Sequence, residues 1–353
     1  MNQKMVIGIT QGDTNGIGYE VIIKALLDSR MTELFTPVIY GSSKFIAFYK
    51  KLIAGAESFA VHIVNSATDV HNKKINLVQC VPDTLLVEPG KKSQDGAKAA
   101  LVALQAAVAD LKSAKIHALV TAPFSKQTVH EGGFAFPGHT EFLANSFTAP
   151  SYIMLLCSNV MKVGIATGHI PISGIKAHIT QDLIVQKIKQ LNDSLQSDFQ
   201  ITKPKIAVLG LNPHAGDGGV LGDEELQVII PAIDKAVQQN ILAFGPYAAD
   251  GFFGSMAFQP FDAILAMYHD QGLVPFKTLS FHNGYNFTAG LPIIRTSPDH
   301  GTAYDIAGTD KASPESMVAA LYAACDLCAS RMQYKDLQKN RLKVTIPEGP
   351  KAG

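Results

Sequence analysis

Tryptophan is absent from this chain of 353 residues, charge is scarce, and no hydrophobic run is long. Charged residues are 17% of the chain, against roughly 25% in soluble domains. Apolar residues are 47%, and a disordered chain needs the opposite balance. Thirty basic and thirty acidic residues cancel, leaving no basic footprint to displace counterions from nucleic acid. No apolar stretch reaches the roughly 18 residues needed to cross a bilayer. The start, MNQKMVIGIT, lacks the regions of a secretory signal. A cytoplasmic protein is expected, with neither nucleic acid nor membrane as partner.

Cysteine is also sparse: Cys80, Cys157, Cys325 and Cys328 are too few and too scattered for a disulfide framework. Cys325 and Cys328 form a C-x-x-C inside 314–332, a segment apolar at helical spacing. With no second pair, they read as packing residues of a helix.

What is present is alternation. Short apolar runs at 6–10, 37–41, 117–123, 205–213 and 261–270 predict strands. Helical patterns at 20–29, 43–54, 93–114, 182–196 and 222–239 lie between or after them, the last with Gly222-Asp223 offering an N-cap. The runs 151–158 and 161–169 flank a short turn at Asn159-Val160 and predict a hairpin. The pattern implies a layered α/β fold with a mostly parallel sheet. At about 100–200 residues per domain, the length allows two domains or one large one. The least core-like stretch, 66–96, is expected to be a long excursion, and the tail 351–353 to be loose.

Polar, glycine-rich segments follow the strands, where ligands bind in open α/β sheets. ITQGDTNGIGYE (9–20) runs from strand through a glycine-rich turn into a helix, but it is neither a Walker A nor a G-x-G-x-x-G motif. A tight structural turn and a ligand loop fit it equally. The segment 120–144 holds Lys126, His139, Thr140 and Glu141. Its alternative is a plain helix start, capped by Gly138, Thr140 and Glu141, with His139 incidental. His169, His214 and His269 each stand at the end of a predicted strand, beside Gly, Pro or Asp. Such spacing suits one ligand from each of three strands at one sheet edge, and three neutral imidazoles plus an open position describe a catalytic metal site. Asp270 adjoins the last, and 276–308 adds Lys277, Asn286, Arg295, Asp299 and His300. Lysine and arginine in such a loop suit an anionic substrate.

Together, PGHTEF (137–142), LNPHAG (211–216), AMYHDQG (266–272) and GLPIIRTSPDHGTAYDIAG (290–308) resemble the 4-hydroxythreonine-4-phosphate dehydrogenase family of pyridoxal phosphate biosynthesis. The match runs from GITQGD near residue 8 to DIAGT near residue 309. It implies the three-layer α/β/α fold of isocitrate and isopropylmalate dehydrogenases, with two domains flanking a cleft. These are expected over 1–145 plus 290–353, and over 146–289 with dimer contacts. The resemblance implies a homodimer whose active site lies near the subunit interface and draws on both subunits. It implies NAD or NADP bound without a Rossmann fingerprint, with Gly12, Gly16 and Gly18 as expected cofactor contacts. A divalent metal (zinc, cobalt or magnesium) falls to His169, His214 and His269. Substrate contacts fall to His139, Thr140, Lys277, Asn286 and Arg295. Asp250, Asp270 and Lys277 are the candidates for proton transfer or for orienting a ligand.

The implied reaction is metal-dependent oxidative decarboxylation of a phosphorylated four-carbon amino acid. The alternatives are a paralogue acting on phospho-threonate or phospho-erythronate, a metal-dependent hydrolase, or a non-catalytic nucleotide binder. One motif departs from the family's usual GDPAGIGPE: this chain has GDTNGIGYE (12–20), with Thr14 and Tyr19 in place of proline and Asn15 in place of alanine. The loop loses φ constraints.

Overall fold

The structure, a computed structural model, describes residues 4–339. The tail expected to be loose, 351–353, lies outside the described residues. Among those described, twelve strands form one sheet: β1 (Met5–Thr10), β2 (Phe35–Gly41), β3 (His62–Val64), β4 (Asn76–Gln79), β5 (Ala118–Thr121), β6 (Ile153–Cys157), β7 (Lys162–Thr167), β8 (Lys205–Leu209), β9 (Leu242–Tyr247), β10 (Ala263–Tyr268), β11 (Tyr285–Ala289) and β12 (Ile294–Pro298). Their order is β3-β4-β2-β1-β5-β12-β11-β6-β7-β10-β8-β9.

The six strands from β3 to β12 in that order are parallel to one another. The four from β7 to β9 form a second parallel block. Between the blocks, β12, β11, β6 and β7 are joined by three antiparallel pairings. The expected hairpin is the last of these. Ser158 closes its turn, its hydroxyl accepting from the N–H groups of Val160 at 3.1 Å and Met161 at 3.2 Å.

Side chains alternate across the sheet, because successive Cβ atoms in a strand point to opposite faces. On β10, Ala263, Leu265 and Met267 enter the main core, while Ile264 and Ala266 enter a second cluster with Leu273 and Phe276. Helices cover both faces, which gives the three-layer α/β/α architecture. The helix Gln94–Lys112 shows how a covering element forms. Ser93 caps it, its hydroxyl accepting from Gly96 N–H at 3.0 Å. Ala97, Ala100, Leu104, Val108 and Leu111 recur at three- and four-residue spacing and are buried. The C-x-x-C lies in the helix Glu315–Lys339, with both thiols free and Cys328 buried.

Two expectations change. The stretch 66–96 is no mere excursion. It contributes β4, which pairs with β2, and it buries Leu77, Val81 and Leu85. The helix expected from 222 starts as a π-turn at Glu225–Ile229 and becomes regular only over Ile230–Gln238. Pro231 has no N–H to give to the preceding turn. Neither Gly222 nor Asp223 caps it.

The departing glycine-rich loop is compensated by its own side chains. Tyr19 is fully buried; its hydroxyl donates to Gln11 Oε1 and accepts from Ser42 N–H at 3.0 Å. Asn15 accepts from Glu88 N–H at 2.8 Å and donates to Ser93 Oγ at 2.8 Å, tying the loop to the 66–96 stretch. Tyr19→Phe leaves two buried partners unmatched. It is expected to cost about 1–3 kcal/mol, measured by urea unfolding; an unchanged unfolding midpoint would remove this account of the loop.

Candidate active site

Three strands that precede the histidines are neighbours in the order β7-β10-β8, all parallel. Their carboxyl ends therefore lie on one sheet edge, and His169, His269 and His214 follow them. His169 and His269 meet, with ring centroids 5.5 Å apart. His269 Nδ1 is 2.7 Å from Asp270 Oδ1, which leaves its Nε2 for another partner. A cavity of about 230 Å³ opens beside the pair, lined by Gly168, Ile170, Tyr268 and Asp270 among others. A larger cavity of about 440 Å³ lies by Phe59, His62, Lys73 and Lys74, and it holds none of the expected site residues.

His214 is not gathered with the other two. It lies five residues beyond the end of β8 and is exposed. From His214 to Gly218 the backbone is left-handed throughout, with φ between 44° and 82°. Glu225, 2% exposed, braces this turn by accepting from the N–H groups of Leu211 and Asn212, each at 2.7 Å. Among the described residues, no group of three or more His, Cys, Asp or Glu is placed to hold a metal ion. Within one chain the donor set is a histidine pair.

The second half of the site surrounds Arg295, on β12. Only 6% of it is exposed. Its Nε and Nη2 donate to Thr121 Oγ1 at 3.0 and 2.6 Å, and Nη1 to Thr288 Oγ1 at 3.4 Å. Among the described residues it forms no ion pair with a carboxylate. Burial pulls its pKa down to about 10, against the opposing field of Glu141. His139 stacks on Phe124 with centroids 3.8 Å apart. Burial, then the charges of Arg295 and Lys126, hold its pKa well below the usual histidine value, so its imidazole is neutral near neutral pH.

Lys126 and Glu141 link the two halves. Lys126 Nζ is 3.5 Å from His169 Nε2. Burial, then Lys126 and His269, lower the pKa of His169, and Glu141 opposes them. The sequence picks out Lys126 and Glu141 within 120–144 but not their approach to His169, since the Lys126 contact spans 43 residues. The helix His139–Ser146 does start at GHTE, with Gly138 at its N-cap, but no side chain caps it. Thr140 and Glu141 are therefore free of the capping role.

Lys277 and Asn286 form a further group. Lys277 Nζ lies 3.7 Å from Asp299 Oδ1, and Asn286 Nδ2 donates to the same oxygen at 3.3 Å. Asp270 is committed to His269, whereas Asp250 is exposed and has no partner among the described residues.

The glycine-rich loop turns out to be packing. Every residue from Gln11 to Glu20 is buried. A Cβ on Gly12 would lie 2.4 Å from Pro123 O, on Gly16 2.8 Å from Thr302 O, and on Gly18 2.2 Å from Gln11 O. The N–H groups of Asp13, Gly16 and Ile17 are already given to the carbonyls of Pro123, Asp13 and Thr302. A phosphate cradle needs N–H groups aimed at the ligand, and these three are spent inside the fold. The tight turn read from the sequence is present, and Gly12, Gly16 and Gly18 are the points where it packs closest.

Comparison with known proteins agrees with this fold. A family profile described as pyridoxal phosphate biosynthetic protein PdxA matches residues 33–324. The 4-hydroxythreonine-4-phosphate dehydrogenase of Bacteroides thetaiotaomicron is 47% identical over 341 residues, 96% of this chain and 93% of the relative. That of a Sulfurihydrogenibium species is 42% identical, covering 90% of this chain and 97% of its own. The crystal structure of 4-hydroxythreonine-4-phosphate dehydrogenase from Klebsiella pneumoniae superposes with a TM-score of 0.81 at 33% identity, covering 93% of this chain and 99% of that one. The chain belongs to the 4-hydroxythreonine-4-phosphate dehydrogenase family of pyridoxal phosphate biosynthetic proteins.

Proposed function

We propose that the protein catalyses the metal-dependent, NAD(P)-linked oxidative decarboxylation of 4-(phosphooxy)-L-threonine to 3-amino-2-oxopropyl phosphate, a step of pyridoxine 5′-phosphate biosynthesis. The observation that supports it most is Arg295: a cation only 6% exposed that makes no ion pair among the described residues, although the field of Glu141 reaches both it and His169. A buried charge normally has a partner, and an anionic substrate would provide one.

The donor chemistry at the sheet edge fits a divalent cation. Imidazole nitrogen is a common ligand, and a carboxylate on the far nitrogen of a ligating histidine fixes its tautomer. His169 and His269 would hold the ion, with His214 as third ligand. Zinc or cobalt suits three nitrogens, and magnesium would lean on substrate oxygens. When bound, the metal supplies Lewis acidity at the substrate's alcohol oxygen, and the nicotinamide accepts the hydride.

The chain's own residues do the rest. Arg295 and Lys277 would take the phosphate and carboxylate, with Thr140 and Asn286 beside them. Neutral His139 would hold a substrate hydroxyl or amine without adding charge. Asp270 orients His269, which leaves Asp250 and Lys277 as carriers of the proton released from the alcohol and returned to the carbon that loses CO2. The two parallel blocks would be the cores of the two domains expected over 1–145 plus 290–353 and over 146–289, joined by the antiparallel strands. A homodimer would complete the donor set.

The test is NAD(P)H formation on a substrate panel. Turnover should require NAD or NADP, stop with chelator, and favour the phosphorylated amino acid over phospho-threonate and phospho-erythronate. Preference for a deaminated acid would assign the protein to the paralogous activity. Hydrolysis without nicotinamide would overturn the dehydrogenase reading.

A further inference from the structure

The ladder between β10 and β8 stops early. Its last paired residues are Leu265 and Val208, whereas β10 stays paired with β7 as far as Tyr268 and Thr167. Where the β8 ladder ends, a side-chain amide takes its place. Gln271 Oε1 accepts from Met267 N–H at 2.7 Å, and Gln271 Nε2 donates to Gly210 O at 2.6 Å. Gly210 N–H in turn donates to Tyr247 O at 2.8 Å, and Thr167 Oγ1 donates to Met267 O at 2.7 Å. One row of hydrogen bonds thus crosses β7, β10, β8 and β9, immediately before the chain turns off to His169, His269 and His214.

We infer that Gln271 is a positioning residue: its carboxamide is a spacer that sets the gap between the His269 and His214 turns, and with it where each turn presents its histidine to a divalent metal, within one site or at the two sites of a dimer. The amide is suited to this because one end accepts and the other donates. A direct ladder bond would bring the strands to the ordinary spacing of about 4.8 Å; inserting the amide holds them apart. The inference rests on the metal reading proposed above, and its test separates the two.

The experiment uses the full-length protein stripped of metal, as wild type, Gln271→Glu and Gln271→Met. Glutamate keeps the size and the acceptor but loses the donor to Gly210; methionine keeps the bulk and loses both. Co2+ and Zn2+ affinity is read by chelator competition, alongside thermal midpoint and hydrogen exchange of peptides covering 210–219 and 5–41. Changes in groups that orient metal ligands typically weaken binding ten- to a hundredfold. That loss is expected in both variants, with faster exchange confined to 210–219. Variants that melt like wild type and bind both ions within twofold of it would overturn the inference. If the wild type binds neither ion, the metal reading fails instead, and exchange at 210–219 decides whether Gln271 holds the turn. Unchanged exchange there in both variants would remove that role too.

Discussion

Arg295→Met is expected to leave the substrate-free protein at least as stable as before and to raise the Michaelis constant for the phosphorylated substrate ten- to a hundredfold. The two effects share one cause. Arg295 sits on β12 with 6% of its surface exposed, and its hydrogen-bond partners are threonine hydroxyls, not carboxylates. Desolvating a charge without a counterion costs stability, and an apolar side chain of similar volume relieves that cost. The substrate then loses its hydrogen bonds to a charged group, worth about 1.5–3 kcal/mol each, or about tenfold per 1.4 kcal/mol. Arg295→Lys should recover only part of the loss, since lysine keeps the charge and loses the planar fork. Thermal midpoint and substrate dependence of both variants check this. A Michaelis constant within twofold of wild type would take Arg295 out of the site.

The same residue shows why part of the fold was hidden in the sequence. Strands with apolar inward faces, such as β1, β2 and β7, are legible as runs. β11 and β12 read as YNFTA and IRTSP. They spend inward positions on Asn286, Thr288, Arg295 and Ser297, so their pattern resembles a functional loop. They lie in the sheet's middle, which supplies the burial their composition does not announce. β9, LAFGPY, is interrupted by glycine and proline at a sheet edge. β4 is only four residues long, and it is held by its pairing with β2.

The site was legible as a set of segments, not as contacts. Three histidines behind three strands pointed to one sheet edge, and the order β7-β10-β8 puts those strands side by side. The spacing could not foretell that the chain past β8 winds left-handed and turns His214 outward. Nor could it foretell that the N–H groups of Asp13, Gly16 and Ile17 in the glycine-rich loop are given to backbone carbonyls. Motif patterns record which residue types recur. Which N–H groups are already taken is decided by tertiary packing.

Single alanine variants at His169, His214 and His269 are all expected to be inactive, and mixing them in pairs distinguishes how the donor set is completed. His169 and His269 belong to one chain, 5.5 Å apart between ring centroids. His214 is exposed on a turn braced by Glu225 and does not join them. A partner's histidine would supply the third nitrogen without rebuilding that turn. In a two-fold dimer, each site then takes the His169–His269 pair from one protomer and His214 from the other. Mixing His214→Ala with His269→Ala makes heterodimers with one intact site and one doubly damaged site. With random exchange half the dimers are mixed, so recovery should approach about a quarter of wild-type activity. Mixing His169→Ala with His269→Ala should recover nothing, because each site still lacks one member of the pair. Activity and subunit exchange, followed by sizing and by mass-tagged chains, are measured together. Exchange without recovery from the first mixture would mean that one chain supplies all three histidines, and that the His214 turn must swing in to do so.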